Sequence, residues 1–174
     1  MINPLNDLAT DVVVNGQIVN IRPIAGDDIE IEKQFVESLS PESRYFRFLG
    51  GVSGITDETA KALCEIDFDK KMAFIAVIKN AASEQQVIGV SRYASDEFDH
   101  CESAVSVADD WQNHGLGTHL MKALIEFARH KGKELIYSID PIDNTHMRML
   151  ARDLGMTAQR DPNDAKMIRY DLQI

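Results

Sequence analysis

Residues 112–117 read Gln112-Asn113-His114-Gly115-Leu116-Gly117 and are followed by Thr118. They lie where an apolar strand-like run, Ser103–Ala108, gives way to an amphipathic helical pattern. The first backbone N–H groups of a helix have no internal acceptor, and the helix dipole adds partial positive charge there. Glycines at such a junction remove the side chains that would keep an anion away from those groups. The spacing therefore predicts a phosphate or pyrophosphate site, with donors from Gln112 and His114 and a hydroxyl from Thr118. A tight turn that packs the helix closely on its strand is the alternative. The P-loop pattern is absent, because no Gly-Lys-Ser/Thr follows, and His119-Leu120 interrupts a full dinucleotide fingerprint.

Other reactive side chains point to less. His100-Cys101-Glu102 resembles a row of metal ligands, but neighbours on a strand face opposite ways and do not converge on one ion. No metal is expected. Cys64 and Cys101 are the two cysteines, far apart and outside any CxxC pair. That fits a reduced compartment and gives no sign of a thiol nucleophile. Glu102 immediately precedes the expected strand before the glycine loop. Among 28 acidic residues, composition alone makes it a solvated strand-edge carboxylate.

The elements that must position these residues follow from pattern. Residues 1–15 read as a flexible arm and residues 16–174 as a single domain. Strands are expected over Gln17–Ile24, Met72–Lys79, Gln86–Tyr93, Ser103–Ala108, Glu134–Ile139 and Lys166–Leu172. Helices are expected over Asp27–Ser38, from Ser40-Pro41 to Gly50-Gly51, over Thr56–Glu65, Gly115–Lys131 and Asn144–Leu154. The stripe Leu116, Leu120, Leu124, Phe127, Ala128 makes Gly115–Lys131 the strongest helix. The middle strands follow one another through short connections and form an antiparallel meander. The fold class is α/β, with a mixed, mostly antiparallel central sheet of about six to seven strands flanked by helices.

Composition bounds the partners. The net charge of −10 argues against nucleic acid, which needs a cationic surface. No apolar run suits a bilayer, and the first residues lack a basic start followed by an apolar stretch. A cytoplasmic monomer or homodimer, without membrane association, is expected.

The complete Gln-x-x-Gly-x-Gly between strand and helix resembles the pyrophosphate motif of the GCN5-related N-acetyltransferases. Asp109-Asp110 before Trp111-Gln112, and the Asn144–Leu150 segment followed by Leu154-Gly155-Met156, agree with that family. Residues 43–48 (Ser-Arg-Tyr-Phe-Arg-Phe), 88–93 (Ile-Gly-Val-Ser-Arg-Tyr) and 109–112 are similar to the acetyltransferase domain of bacterial Pat-type protein lysine acetyltransferases. Those enzymes often carry this domain fused to an acyl-CoA synthetase-like region, which these 174 residues do not contain. The resemblance implies acetyl-CoA as cosubstrate, with its pantetheine on Val105, Ser106 and Val107. Its pyrophosphate lies on the loop from Gln112 through Asn113, His114, Gly115, Leu116 and Gly117 to Thr118. Asn144 makes a further contact. It also implies Glu102 as general base, its pKa raised by burial. Many relatives have a tyrosine acid seven residues after the asparagine; here that position is Ala151. The implied acceptor is a primary amine, first a protein lysine such as that of an acyl-CoA synthetase. A polyamine, amino acid or other small amine is the alternative within the same chemistry. A non-catalytic acyl-CoA-binding sensory module, or an interaction domain that has lost the cofactor, is the alternative outside it.

Overall fold

A computed structural model describes residues 7–49 and 54–174. One eight-stranded sheet holds β1 (Thr10–Val14), β2 (Gln17–Pro23), β3 (Lys71–Lys79), β4 (Gln85–Ser95), β5 (His100–Val107), β6 (Leu135–Pro141), β7 (Thr157–Arg160) and β8 (Met167–Gln173). Its spatial order is β1-β2-β3-β4-β5-β6-β8-β7, and every pairing is antiparallel except β5 with β6. Five helices are present among the described residues: α1 (Ile29–Ser38), α2 (Pro41–Phe48), α3 (Asp57–Cys64), α4 (Leu116–His130) and α5 (Thr145–Asp153). The mixed, mostly antiparallel α/β class is as read from the sequence.

Two strands were not expected. The supposed loose arm is, from Thr10 to Val14, an edge strand paired with β2. Its turn, Asn15-Gly16, has both residues at positive φ, the chemistry of a two-residue hairpin. β7 is exposed at all four positions, so no apolar alternation announces it. β5 begins at His100, three residues before the expected Ser103, and so takes in Glu102. The expected helix end at Gly50-Gly51 lies outside the described residues; α2 runs to Phe48, with Leu49 left-handed at φ 50°.

The sheet separates two cores. Leu116, Leu120, Met121 and Leu124 of α4, with Met147 and Ala151 of α5, pack on one face. Phe35 and Val36 of α1 and Ala60 and Cys64 of α3 pack with Ile75, Val87 and Val90 on the other. Helix starts are fixed locally. Ser40 Oγ accepts from Ser43 N, Thr56 Oγ1 from Thr59 N, and Asn144 Oδ1 from Met147 N, each at 3.1 Å. α4 sits close to β4, where the buried Ser91 donates to Leu120 O at 2.9 Å. A Cβ on Gly89 would lie 2.8 Å from Leu120 Cδ1 and 3.3 Å from Ser106 O. The close packing that a glycine makes possible is thus at Gly89. Gly89→Ala is expected to cost about 1–3 kcal/mol by overpacking, measured by urea denaturation.

Candidate functional site

The parallel ladder between β5 and β6 is short. It pairs His100 with Leu135, Cys101 with Ile136 and Glu102 with Tyr137, and there it ends. β5 stays paired with β4 as far as Val107, and β6 stays paired with β8 as far as Pro141. The two strands therefore diverge from Glu102 and Tyr137, and their facing edges lack a strand partner. Ser103 Oγ donates to Tyr137 O at 2.9 Å, tying the apex. A cleft of about 290 Å³ opens beyond it. Val105, Ser106 and Val107 form one wall, and Asp140, Asn144, Met147 and Leu150 belong to the other. An extended strand edge with unpaired N–H and C=O groups is a template for a ligand that carries amides of its own.

The mouth of the cleft is the glycine loop. Asn113 (φ 63°) and Gly115 (φ 82°) are both left-handed, and Gly115 is the N-cap of α4, with no side chain to cap it. Among the described residues, the first-turn N–H groups of this 15-residue helix thus have no capping side chain. Gly117 is different. A Cβ there would meet only Leu150 Cδ2 at 3.6 Å and Val107 Cγ2 at 3.8 Å, ordinary contacts. Neither packing nor backbone conformation requires a glycine at 117, which argues against the tight-turn alternative. Asn113, Gly115, Leu116, Gly117 and Thr118 all line the cleft, although the Leu116 side chain is buried in the core. His114 is exposed and does not line it.

Gln112 lines the cleft but is a brace rather than the expected free donor. Its Nε2 donates to Val107 O and to Ser43 Oγ, both at 3.1 Å. Ser43 Oγ in turn donates to Asp109 Oδ1 at 2.8 Å. Asp109 also accepts from Ser40 N (3.0 Å) and Ser40 Oγ (2.7 Å). This chain ties the start of α2 to the glycine loop across more than sixty residues of sequence. Burial works against the Asp109 charge, but the hydrogen bonds from Ser40 and Ser43 together outweigh it and hold the carboxyl below its ordinary range. A depressed carboxyl contributes stability above its unfolded pKa and loses it as pH falls through the folded value. Asp109→Asn is therefore expected to melt lower than the parent at pH 7. The difference should close below about pH 4, as scanning calorimetry across that range would show.

Asn144 is buried, and its Oδ1 caps α5 while Nδ2 reaches Asp140 Oδ1 at 3.4 Å. Ala151 is buried in the core and does not face the cleft. α5 contributes His146, Met147, Met149, Leu150 and Asp153 to the cleft lining, so it offers no phenol acid there.

Glu102 is exposed, contrary to the expected burial, and it stands at the apex rather than among the cleft-lining residues. Strand alternation puts it on the face opposite α4. Tyr137, its ladder partner, was not singled out in the sequence. Arg169 Cζ sits 3.9 Å from the Tyr137 ring centroid and Arg169 Nε donates to Asp171 at 2.7 Å. Burial first, then the Glu102 charge, raises the Tyr137 phenol, with Arg169 opposing. It is a neutral O–H beside the carboxylate at neutral pH. The thiols are unsuited to attack: burial pushes both Cys64 and Cys101 up to about 11. Among the described residues, no three His, Cys, Asp or Glu side chains converge as metal ligands.

Residues 35–156 match the model of the acetyltransferase (GNAT) family. The chain belongs to this family of acetyltransferases. Acetyltransferase PA5475 of Pseudomonas aeruginosa is 40% identical over 161 residues, covering 92% of this chain and 86% of that protein. Acetyltransferase Pat of Mycolicibacterium smegmatis is 28% identical over 162 residues; the match spans 92% of this chain but 47% of that longer relative. In fold, the GNAT chain is similar to the GNAT domain of S. lividans PAT, with a TM-score of 0.88, 24% identity, and coverage of 97% and 98% of the two chains. GNAT enzymes take acetyl-CoA.

Proposed function

We propose that this GNAT chain transfers the acetyl group of acetyl-CoA to the side-chain amine of a protein lysine, with Glu102 as general base. The observation that carries the reading is the split itself. It has an anion-ready helix start at one end, an unpaired strand edge along its length, and a carboxylate with a phenol at its apex.

The pyrophosphate lies against the N–H groups of the first turn of α4, with Gly117 leaving the approach open and Thr118 adding a hydroxyl. The amides of the pantetheine run along the free edge of residues 105–107 as an added strand would. Acetyl-CoA supplies the activated acyl group as a thioester. An amine with an ordinary pKa of about 10.4 arrives as ammonium and must lose a proton before its lone pair can attack. Glu102 takes that proton, directly or through a water. The amine nitrogen then bonds to the carbonyl carbon, a strand N–H faces the developing oxyanion, and the carbon–sulfur bond breaks. The thiolate, with an ordinary pKa near 8.5, leaves readily and takes up the second proton that the nitrogen sheds as the amide forms.

Two observations favour a lysine on a protein over a small amine. Glu102 stands exposed, within reach of a macromolecular surface. The charges felt at Tyr137 are mainly acidic, from Glu102, Asp96 and Asp171 against Arg169, which suits a cationic side chain. The test is release of free CoA from acetyl-CoA with a panel of acceptors: an acyl-CoA synthetase with an active-site lysine, polyamines, amino acids and aminoglycosides. Release with the synthetase, with acetyl-lysine found by mass spectrometry, is the expected result. Release only with a small amine replaces the acceptor. Tight acetyl-CoA binding with no release from any acceptor favours a sensory module.

A further inference from the structure

On the sheet face opposite α4, a charged group is buried that the mechanism above does not use. Glu32 of α1 is 1% exposed, and its Oε1 lies 2.9 Å from Arg92 Nη2. Arg92 Nη1 donates to Leu63 O at 3.0 Å. Arg47 of α2 stands close enough that both Arg92 and Glu32 act on it electrostatically. Two guanidinium groups thus stand near one carboxylate, and of the two it is Arg92 that pairs with it. The hydrogen bonding is also incomplete: among the described residues, Arg47 Nη2, Arg92 Nε and Glu32 Oε2 are out of contact with solvent and have no partner. A buried charged N–H without an acceptor is costly.

The surplus cation faces the cleft. Arg47 and Ser43, one helical turn apart on α2, both line it. Ser43 is held at the Gln112 end. Arg92 is in register with Ala104, and Val90 with Ser106, so this face of β5 between the glycine loop and Glu102 lies next to the cluster. The Arg47 guanidinium is 5.0 Å from the Phe48 ring centroid, which limits its freedom. It stands beside the stretch of β5 between the glycine loop and the apex, the part of the cleft that the proposed reading gives to the acyl end of the cosubstrate.

We propose that Arg47 reads a carboxylate placed beside the transferred acyl group. That carboxylate is either the far end of a dicarboxylic acyl chain, which would take the place of acetyl, or the carboxylate of an amino-acid acceptor, which would take the place of the protein lysine. A carboxylate matches the planar guanidinium fork, and its single charge matches the single surplus cation. Phosphate has its own place at the start of α4. Burial lowers the Arg47 pKa to about 10, with Arg92 adding to the effect, so the group is still a cation at neutral pH. The inference rests on the acyl-CoA reading of the cleft.

Isothermal titration of acetyl-CoA and succinyl-CoA into the parent protein, Arg47→Met and Arg47→Lys tests it. If the acyl chain carries the carboxylate, succinyl-CoA binds the parent about tenfold or more tightly than acetyl-CoA. That ratio falls to about one in Arg47→Met and to an intermediate value in Arg47→Lys, which keeps the charge but loses the fork. If the ratio is already about one in the parent, the CoA-saturated protein is titrated with lysine and with cadaverine, which differ by the carboxylate. A preference of about tenfold for lysine, lost in Arg47→Met, assigns the carboxylate to the acceptor. Should Arg47→Met fail to fold, the reduced ratio in Arg47→Lys decides. No preference in either arm, or a preference that survives both substitutions, overturns the inference and leaves Arg47 as a counter-charge for Glu32. A parent protein that binds no acetyl-CoA overturns the acyl-CoA reading as well.

Discussion

Glu102→Gln is expected to lower kcat by about 10²–10⁴-fold, the ordinary worth of a positioned base, while acetyl-CoA affinity changes by less than about threefold. The reason for the split between the two readouts is geometric. Glu102 stands at the apex, past the residues that line the cleft, so removing its charge spares the walls and the glycine loop. Its side chain is exposed and not part of either core, so the fold has no stake in it. The deficit should also depend on pH. Near neutrality the acceptor is almost wholly ammonium and needs a base, whereas near pH 10 roughly a quarter to a third of an ordinary lysine is already neutral. The variant should therefore gain on the parent as pH rises, its kcat/KM climbing about tenfold per pH unit below the amine's pKa. A glutamate that merely shapes the acceptor groove would raise KM and leave the pH profile unmoved. Stopped assays of CoA release between pH 7 and pH 10 distinguish the two outcomes.

What was legible in the sequence was local. The glycine loop and α4 could be read because strand, turn and helix are contiguous, and the Leu116–Leu120–Leu124 stripe is fully buried as its period requires. Asn144 and Ser40 announced helix starts, and both cap them. The β1 hairpin was equally local, written in Asn15-Gly16 after three valines, and was hidden only by its place near the chain terminus. β7 carried no signal, since an all-exposed edge strand has no apolar period to show. The split is illegible for another reason: it depends on where a parallel ladder stops, and its two strands are separated by the whole of α4. The same holds for Gln112, whose brace is Ser43, and for Arg47, whose neighbours are Arg92 and Glu32. A motif gives residue types at a spacing. It does not say which polar atoms the fold itself will consume.

The two glycines of the loop separate what the backbone needs from what a ligand needs. Gly117→Ala is expected to fold at least as stably as the parent, because its Cβ enters ordinary contact with Leu150 and Val107. Alanine in the first turn also recovers up to about 1 kcal/mol of helix propensity. Acetyl-CoA affinity should nevertheless fall by about tenfold or more, since the new methyl group stands at the approach to the α4 N–H groups. Gly115→Ala should behave in the opposite sense on stability. Its φ of 82° puts any L side chain in the left-handed region, at about 1–2 kcal/mol, so the variant melts lower. Any loss of binding there mixes strain with obstruction. Paired measurements of melting temperature and acetyl-CoA affinity on both variants therefore read the loop's purpose. If Gly117→Ala binds acetyl-CoA as the parent does, the helix start is not an anion site, and the glycine at 117 has no explanation in this fold.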